Sequence, residues 1–136
     1  MKIGLLSDIH ANVYALRVVL NSAKDKKVQK ILCCGDYVGY YYHPKKVIKL
    51  LDKWDWDGVS GNHEGMLKDW LDKKNKNRIM EKHGSGISIA AEKLNHELAV
   101  RLYEMPITKK VNIDDLTILL CHGSPWNRDK YIYPDA

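Results

Sequence analysis

The chain has 136 residues, of which 45% are hydrophobic and 29% charged, which is enough apolar material to close one core. This composition excludes a collagen-like, disordered or multidomain protein, and we predict a single domain over residues 1–136. Lysine and arginine number 22 against 17 acidic residues, and the net charge of +5 favours phosphate-bearing partners through long-range attraction. No apolar run approaches the ~20 residues that a membrane span needs. We therefore expect a cytoplasmic protein that has no membrane partner.

The three cysteines predict no disulfide framework, and core positions are favoured over a zinc site. Cys33 and Cys34 are neighbours on a predicted strand, so their side chains point to opposite faces of the sheet. Both lie in an apolar run, as does Cys121, and this favours small buried core residues over metal ligands. A reducing compartment is consistent with this usage.

The first sixty residues alternate between strand and helix patterns. Residues 2–7 form a short apolar run, and from Asn12 the apolar positions recur every three or four residues, as on a helix. A second apolar run at 31–34 precedes a helical stripe that begins at Pro44, and 58–60 is a third short strand. Strands separated by helices predict a mostly parallel sheet covered on both faces, which is the α/β class.

The second half of the chain has a different pattern. A short helix is predicted at 66–71, a polar loop at 72–78 and a longer amphipathic helix at 86–104. Two strand-like runs, 107–113 and 116–121, are joined by two aspartates. They predict a hairpin that begins a second sheet.

Polar side chains follow the predicted strands at their carboxyl ends. The side chains placed in this way are Asp8, His10, Asp36, Asn62, His63 and His122. Open α/β sheets place their sites at this edge, so these groups can converge. Carboxylate and imidazole groups together suit a borderline divalent ion. Gly35 and Gly39 flank Asp36 and allow the backbone to turn sharply beside an ion or a phosphate.

Taken in order, these motifs resemble the calcineurin-like metallophosphoesterase superfamily. The motifs that carry the resemblance are Asp8-Ile9-His10, Gly35-Asp36-Tyr37-Val38-Gly39, Gly61-Asn62-His63-Glu64 and His122-Gly123-Ser124-Pro125. They are similar to the small prokaryotic branch that is related to protein phosphatases and diadenosine tetraphosphatases. Any one triplet is a weak signal, but four in this order, each ending a strand-like run, indicate the family.

The resemblance implies an α/β/β/α sandwich and the hydrolysis of phosphomonoesters or phosphodiesters by a hydroxide that two divalent ions activate. It also implies one ligand set for each ion: Asp8, His10 and Asp36 for the first, and Asp36, Asn62 and His122 for the second. Asp36 bridges both ions in this scheme, and His63 stabilises the transition state or protonates the leaving group. The mixed nitrogen and oxygen ligands favour Mn²⁺, with Fe, Zn²⁺ or Ni²⁺ as alternatives.

One family element does not occur in the sequence. The family pattern continues to a Gly-His-x-His element that gives each ion one more histidine, and the 136 residues contain none. We therefore expect the C-terminal part of the sandwich to be incomplete, with weaker metal binding and an unpaired edge at the 107–121 hairpin. That edge predicts a homo-oligomer or a second chain as partner, beside the phosphate-ester substrate. A catalytically inactive binding or assembly module is the alternative function.

Four further features allow two interpretations each. The basic run 73–78 favours a solvated loop over a grip on a phosphodiester backbone, and nucleic acid is expected only as a substrate. Segment 83–86 favours a flexible entry to the next helix over a phosphate loop. Arg128 fits a surface position better than a phosphate contact. An aromatic group fits a substrate wall and packing against further structure equally well: Tyr37, Tyr40, Tyr41, Tyr42 and His43.

Overall fold

The computed structural model describes residues 1–135, which form five strands and six helices. The strands are β1 Ile3–Leu6, β2 Lys30–Cys33, β3 Trp56–Gly58, β4 Thr108–Ile113 and β5 Leu116–Cys121. The helices are α1 Val13–Asp25, α2 Pro44–Leu51, α3 Asn62–Leu71, α4 Lys76–His83, α5 Gly86–Lys93 and α6 His96–Tyr103. Within these described residues, no helix is long and apolar enough to cross a lipid bilayer.

The first three strands form a parallel sheet in the order β1-β2-β3. Leu6 pairs with Cys33, which pairs in turn with Gly58, so the carboxyl ends of all three strands reach the same edge. Asn12 caps α1, because its side chain accepts a hydrogen bond from the N–H of Ala15 at 3.1 Å. The predicted α/β class is confirmed.

The parallel sheet is covered by helices on one face and by the β4–β5 hairpin on the other. All six helices contribute buried side chains to the larger core, among them Leu16, Val47 and Leu67. The smaller core lies between the sheet and the hairpin and is formed by Leu32, Val59, Val111, Ile113 and Leu120. Helices, parallel sheet and hairpin therefore make an α/β/β arrangement, which corresponds to three layers of the predicted α/β/β/α sandwich.

Ion pairs and backbone contacts fix the hairpin on the sheet. Asp57 on β3 pairs with Lys30 on β2 at 3.2 Å, and also with Lys109 on β4. The N–H of Ser60 donates to the carbonyl of Pro106 at 2.9 Å, just before β4 begins. The predicted hairpin is confirmed as an antiparallel pair, and its alternation turns one row of apolar side chains towards the parallel sheet.

Two predicted helices have the wrong bounds. The helix expected over 86–104 is two helices, because Leu94 takes an extended conformation and the side chain of Asn95 caps the second one. The apolar stripe continues across this break, so periodicity alone does not reveal it. The helix predicted at 66–71 begins earlier, at Asn62, and includes the residues that face the site described below.

The predicted loop and the third predicted strand are also shifted. The loop at 72–78 is too long, since its last three residues belong to α4. Only Ile79 of that helix is buried, so the apolar stripe is too weak to indicate a helix. The strand predicted at 58–60 is shifted towards the C-terminus, because β3 ends at residue 58, where the predicted strand begins. The N–H of Ser60 donates to the carbonyl of Pro106, just before the hairpin, and not to a strand of the parallel sheet.

Candidate metal centre

The loops that follow β1, β2, β3 and β5 meet at one edge of the molecule and line a cavity of about 360 Å³. Six of the residues that line it are those the sequence singled out: Asp8, His10, Asp36, Asn62, His63 and His122. The parallel sheet brings five of them together because its strands end at a shared edge. The hairpin delivers His122 to the same edge directly after β5.

Asp36 lies at the centre of this group. Its Oδ2 atom lies within 4 Å of three imidazole Nε2 atoms: His122 at 3.5 Å, His10 at 3.6 Å and His63 at 3.9 Å. Asp36 is almost fully buried, whereas the side chain of Asp8 is 58% exposed and reaches Nε2 of His10 from the open side, at 3.7 Å. The site therefore has a buried carboxylate in its centre and a solvent-facing one at its mouth.

Two sets of three ligand atoms are close enough together to hold an ion. One set is His10, Asp36 and His63, and the other is Asp8, Asp36 and His122. Both contain Asp36, which is what a bridging carboxylate requires. The family pattern assigns Asp8 to the ion of His10 instead, and the 3.7 Å separation of these two side chains is compatible with that pairing as well.

Backbone carbonyls orient two of the histidines. Nδ1 of His10 lies 3.0 Å from the carbonyl oxygen of Val38, and Nδ1 of His122 lies 2.7 Å from that of Cys34. Because a carbonyl can only accept, each Nδ1 carries a proton, and the neutral form of each ring has the lone pair of Nε2 on the side of Asp36. A hydrogen bond on the opposite ring nitrogen is typical of metal-binding histidines. The donor set therefore fits divalent ions.

Asn62 joins the group from the first turn of α3. The terminal amide atom that faces Asp36 lies 3.0 Å from Nε2 of His122 and 3.2 Å from both carboxylate oxygens of Asp36. An amide nitrogen at this position donates to these acceptors, whereas an amide oxygen there shares a cation with them. The lone pairs of His122 and Asp36 thus converge beside the Asn62 amide, where the family pattern predicts the second ion.

The loops after β1 and β2 are held in strained conformations. Left-handed backbone angles occur at Asp8, His10, Ala11 and Asp36, with φ between 49° and 58°. Residues other than glycine rarely adopt such angles, so the surrounding structure must enforce them. The two loops hold each other, since the N–H of Asp8 donates to the carbonyl of Gly35 at 3.1 Å and that of His10 to the carbonyl of Asp36 at 2.9 Å.

Glu64 organises these loops, although the motifs alone give it no role. Its carboxylate is fully buried and accepts hydrogen bonds from four backbone N–H groups at 2.7–3.3 Å: Asp36, Tyr37, Val38 and Gly61. Burial and the charge of Asp36 raise the pKa of Glu64 to about 7, while the N–H donors oppose that rise. The available sequence signal is a helix N-cap followed three residues later by glutamate.

Burial also changes the protonation of the two residues with predicted catalytic roles. It raises the pKa of Asp36 to about 6, against the opposing effect of His122. Burial and the nearby His10 lower the pKa of His63 to about 3, so its imidazole is neutral at pH 7. A neutral His63 donates or accepts one hydrogen bond, and an anionic group placed beside it raises its pKa again.

His83 and Tyr40 form the wall beside His63. The ring centroids of His63 and His83 are 5.2 Å apart, and the hydroxyl of Tyr40 is hydrogen-bonded to Nδ1 of His83 at 3.1 Å. Gly39 makes room for this arrangement, since a Cβ on it would lie 2.2 Å from Nδ1 of His63. The sequence predicted a flexible entry to the next helix at 83–86 and did not place His83 at the site. The reason is that α4, which ends at His83, was not predicted.

The other candidate groups lie mainly in the cores. Tyr37 is fully buried, and its hydroxyl donates to the carbonyl of Val59 at 3.1 Å, so it does not form part of a wall. Burial raises the pKa of the Cys33 thiol to about 12, and this residue belongs to the larger core. Cys34 packs against the smaller core on the opposite face. Within residues 1–135, neither set of candidate ligands includes a cysteine.

The α/β/β fold, with oxygen and nitrogen ligands gathered where its strands end, defines a metallophosphoesterase-type domain. Comparison with known families supports this description. Residues 1–133 match the family model of the calcineurin-like phosphoesterase superfamily domain, and the chain belongs to this superfamily.

Two curated relatives come from Methanocaldococcus jannaschii. The uncharacterized protein MJ0912 is 33% identical over 98% of this chain and 54% of its own length, and the phosphodiesterase MJ0936 is 30% identical over 60% and 49%. A crystal structure of a metallophosphoesterase from Sphaerobacter thermophilus superposes with a TM-score of 0.73 at 30% identity, over 98% of this chain and 51% of that one. The chain thus spans about half the length of the curated relatives it matches.

Proposed function

We propose that this chain provides the metal-binding part of a phosphoesterase that hydrolyses phosphomonoesters or phosphodiesters. The observation that carries the proposal is the convergence of three histidine Nε2 atoms on Oδ2 of Asp36 at 3.5–3.9 Å. Backbone carbonyls leave two of those nitrogens with free lone pairs. The superfamily match supports the reaction class, as do the relatives that are described as a phosphodiesterase and a metallophosphoesterase.

The proposed ligands Asp8, His10, Asp36, Asn62 and His122 hold two divalent ions, with Mn²⁺ as the first choice and Fe, Zn²⁺ or Ni²⁺ as alternatives. Bound ions of this kind supply Lewis acidity, which lowers the pKa of a water molecule and neutralises charge on phosphoryl oxygens. Asp36 is almost fully buried, and its Oδ2 atom faces the three imidazoles. Cations beside it offset the burial that raises its pKa, so the carboxylate stays ionised where the ions need it.

His63 acts on the substrate in this proposal. Its buried ring lies against His83 and Tyr40, and its Nε2 atom faces the centre of the site. As a neutral imidazole it donates an N–H to a phosphoryl oxygen, and the anionic ester raises its pKa. With its pKa raised, the ring takes up a second proton from water. When the bond from phosphorus to the leaving oxygen breaks, the imidazolium passes one proton to that oxygen and returns to the neutral form.

The test is the hydrolysis of p-nitrophenyl phosphate and bis(p-nitrophenyl) phosphate by the purified chain with Mn²⁺ and with a chelator. Asp36→Asn and His63→Ala are compared with His96→Gln, which alters an exposed histidine at the start of α6. We expect Mn²⁺-dependent turnover that both site variants lose and the control keeps. Equal rates in wild type and Asp36→Asn contradict the proposal.

The second candidate function is a binding or assembly module without turnover. The hairpin favours it, because Leu116 and Leu119 on β5 are 68% and 48% exposed and β4 and β5 pair only with each other among residues 1–135. Such an edge can bind a second copy or another chain. Light scattering on the same preparation tests it: a stable oligomer that Leu119→Lys disrupts, together with no Mn²⁺-dependent turnover, favours this module over the enzyme.

A further inference from the structure

A second cavity, of about 520 Å³, opens beside the candidate metal centre. Its lining includes residues from α3, from α4 and from the segment after β5. Three of its side chains are permanently charged cations: Arg78, Lys82 and Arg128. Arg78 and Lys82 are four positions apart on α4, so they lie on one face of that helix. We call this the basic cavity.

Among the described residues, no carboxylate is paired with a cation of the basic cavity. Within residues 1–135, neither Arg78 nor Lys82 nor Arg128 forms an ion pair, although Asp69 and Asp129 also line the cavity. Asp69 accepts a hydrogen bond from Asn75 at 3.1 Å instead. The three cations outnumber the two carboxylates of the lining, so the net charge around the cavity is positive and attracts an anion.

Arg128 is held in place by α3 and the loop before it. Its Nη1 donates to Oγ of Ser60 at 3.0 Å and to the carbonyl of Gly61 at 3.1 Å. Gly65 leaves the space for the guanidinium, since a Cβ there would lie 3.0 Å from Nη2. Nη1 is engaged in these bonds, whereas Nη2 donates to no group within residues 1–135 and can bind an oxyanion, for which a guanidinium is well suited.

The basic cavity adjoins the metal centre. Four residues line both cavities: Asn62, His83, Arg128 and Asp129. A substrate whose scissile phosphate is at Asp36 therefore extends directly past Asn62 towards Arg78 and Lys82.

We infer that the basic cavity binds a second phosphate of the substrate, and that the preferred substrate is a phosphate ester carrying another phosphate group. This inference deepens the proposed function and rests on it, because it places the scissile phosphate in the metal centre. Arginine and lysine bind phosphate through charge-assisted hydrogen bonds, and Arg128 stands between the two phosphate positions. A substrate with one phosphate cannot make these contacts, because its only phosphate lies in the metal centre.

The test measures binding with two probes that differ in one phosphate. Thymidine 3′,5′-bisphosphate and thymidine 5′-phosphate are titrated calorimetrically with saturating Mn²⁺. Every chain in this titration, the reference chain included, carries His63→Ala, which removes the proposed proton donor but no proposed ligand, so that the probes bind without being hydrolysed. The variants are the double substitution Arg78→Gln, Lys82→Gln and a matched control, Arg17→Gln with Lys24→Gln, which removes the same charge from the exposed face of α1. We expect the reference chain and the control to bind the bisphosphate at least ~10-fold more tightly, and the α4 double variant to reduce this ratio to about 2-fold or less.

Equal affinities for the two probes in the reference chain overturn the inference, and so does an α4 double variant that keeps the preference. The aryl phosphate assay is separate from this measurement, because it needs only the metal centre. Absence of a bisphosphate preference, with intact turnover of wild type in the aryl phosphate assay, contradicts the phosphate-binding role of the basic cavity but leaves the proposed function standing. A retained preference without any turnover contradicts the proposed function alone.

Discussion

The carboxylate of Glu64 accepts a hydrogen bond from the backbone N–H of Asp36 at 2.9 Å, and the two residues are 28 positions apart. Three more N–H groups bond to the same carboxylate, so one buried side chain holds both the loop after β2 and the start of α3. The position of the Asp36 side chain therefore depends on an acid that does not line the cavity of the candidate metal centre.

Replacing Glu64 tests this dependence. Glu64→Ala leaves four buried N–H groups without an acceptor, and we expect a loss of at least about 3 kcal/mol in the free energy of unfolding. Glu64→Asp keeps a carboxyl group but shortens the side chain, so it should bind fewer of the donors and have a stability between those of wild type and Glu64→Ala. Urea unfolding and Mn²⁺ titration measure the two effects. An alanine variant with wild-type stability contradicts this role.

The alternation of strands and helices and the four motifs were enough to predict the fold class and to select the side chains that meet at one edge. Both depend on local patterns: an apolar run ends, and a polar group follows it. The parallel sheet then converts separate positions such as Asp8 and Asp36 into neighbours. Relations of this kind can be read from a single sequence.

Other parts of the structure depend on contacts that no local pattern encodes. α4 buries one residue, so its helical state follows from packing against α3 and α5 more than from its own stripe. Consequently Arg78, Lys82 and His83 could not be placed beside the site from the sequence. The four donors of Glu64 are likewise backbone groups, which have no signature of their own.

Asp36→Asn should stabilise the metal-free protein above pH 7. Burial raises the pKa of Asp36 from 3.8 to about 6, so the folded state disfavours its ionised form. A raised pKa contributes stability that is present below pH 3.8 and is lost as the pH rises through about 6. We expect metal-free Asp36→Asn to gain about 1 to 3 kcal/mol over wild type at pH 8 and no such gain at pH 4.

The matching measurement is the melting temperature with chelator and with Mn²⁺. Mn²⁺ should raise the melting temperature of wild type and leave that of Asp36→Asn nearly unchanged, because the shared carboxylate is gone. A variant that is less stable than wild type in chelator at pH 8 shows that Asp36 serves mainly as a structural acceptor. Weakening of the hydrogen bond that Asp36 accepts from the N–H of His63, at 3.0 Å, would then account for the lost stability.

Asp57→Asn should loosen the hairpin and remove an acid-sensitive contribution to stability. Burial raises the pKa of Asp57, but the bonds from Lys109 and Lys30 outweigh it and leave the pKa below the usual 3.8. A lowered pKa contributes stability above pH 3.8 that is lost as the pH falls through the folded value. We expect wild type to exceed Asp57→Asn by about 1 to 2 kcal/mol at pH 7 and the two to converge below pH 3.8.

Hydrogen exchange of β4 and β5 locates that effect. The hairpin amides should exchange faster in Asp57→Asn than in wild type, while the amides of β1 and β2 change less, since Asp57 joins the hairpin to the parallel sheet. Asp55→Asn is a suitable control, because Asp55 also pairs with Lys30 but has no contact with Lys109. Equal exchange in both variants contradicts the proposed attachment.

Gly39→Ala and Gly84→Ala separate backbone strain from displacement of His63. Both glycines have positive φ, 91° and 73°, so alanine costs about 1 to 3 kcal/mol at either position. A Cβ on Gly84 meets nothing within 4 Å, whereas one on Gly39 lies 2.2 Å from Nδ1 of His63. Gly39→Ala should therefore lose more stability than Gly84→Ala, because the His63 ring must move.

Gly39→Ala should also lower kcat for aryl phosphate hydrolysis at least ~10-fold, whereas Gly84→Ala keeps wild-type kcat. Equal kcat values in the two variants mean that the position of His63 does not limit the reaction.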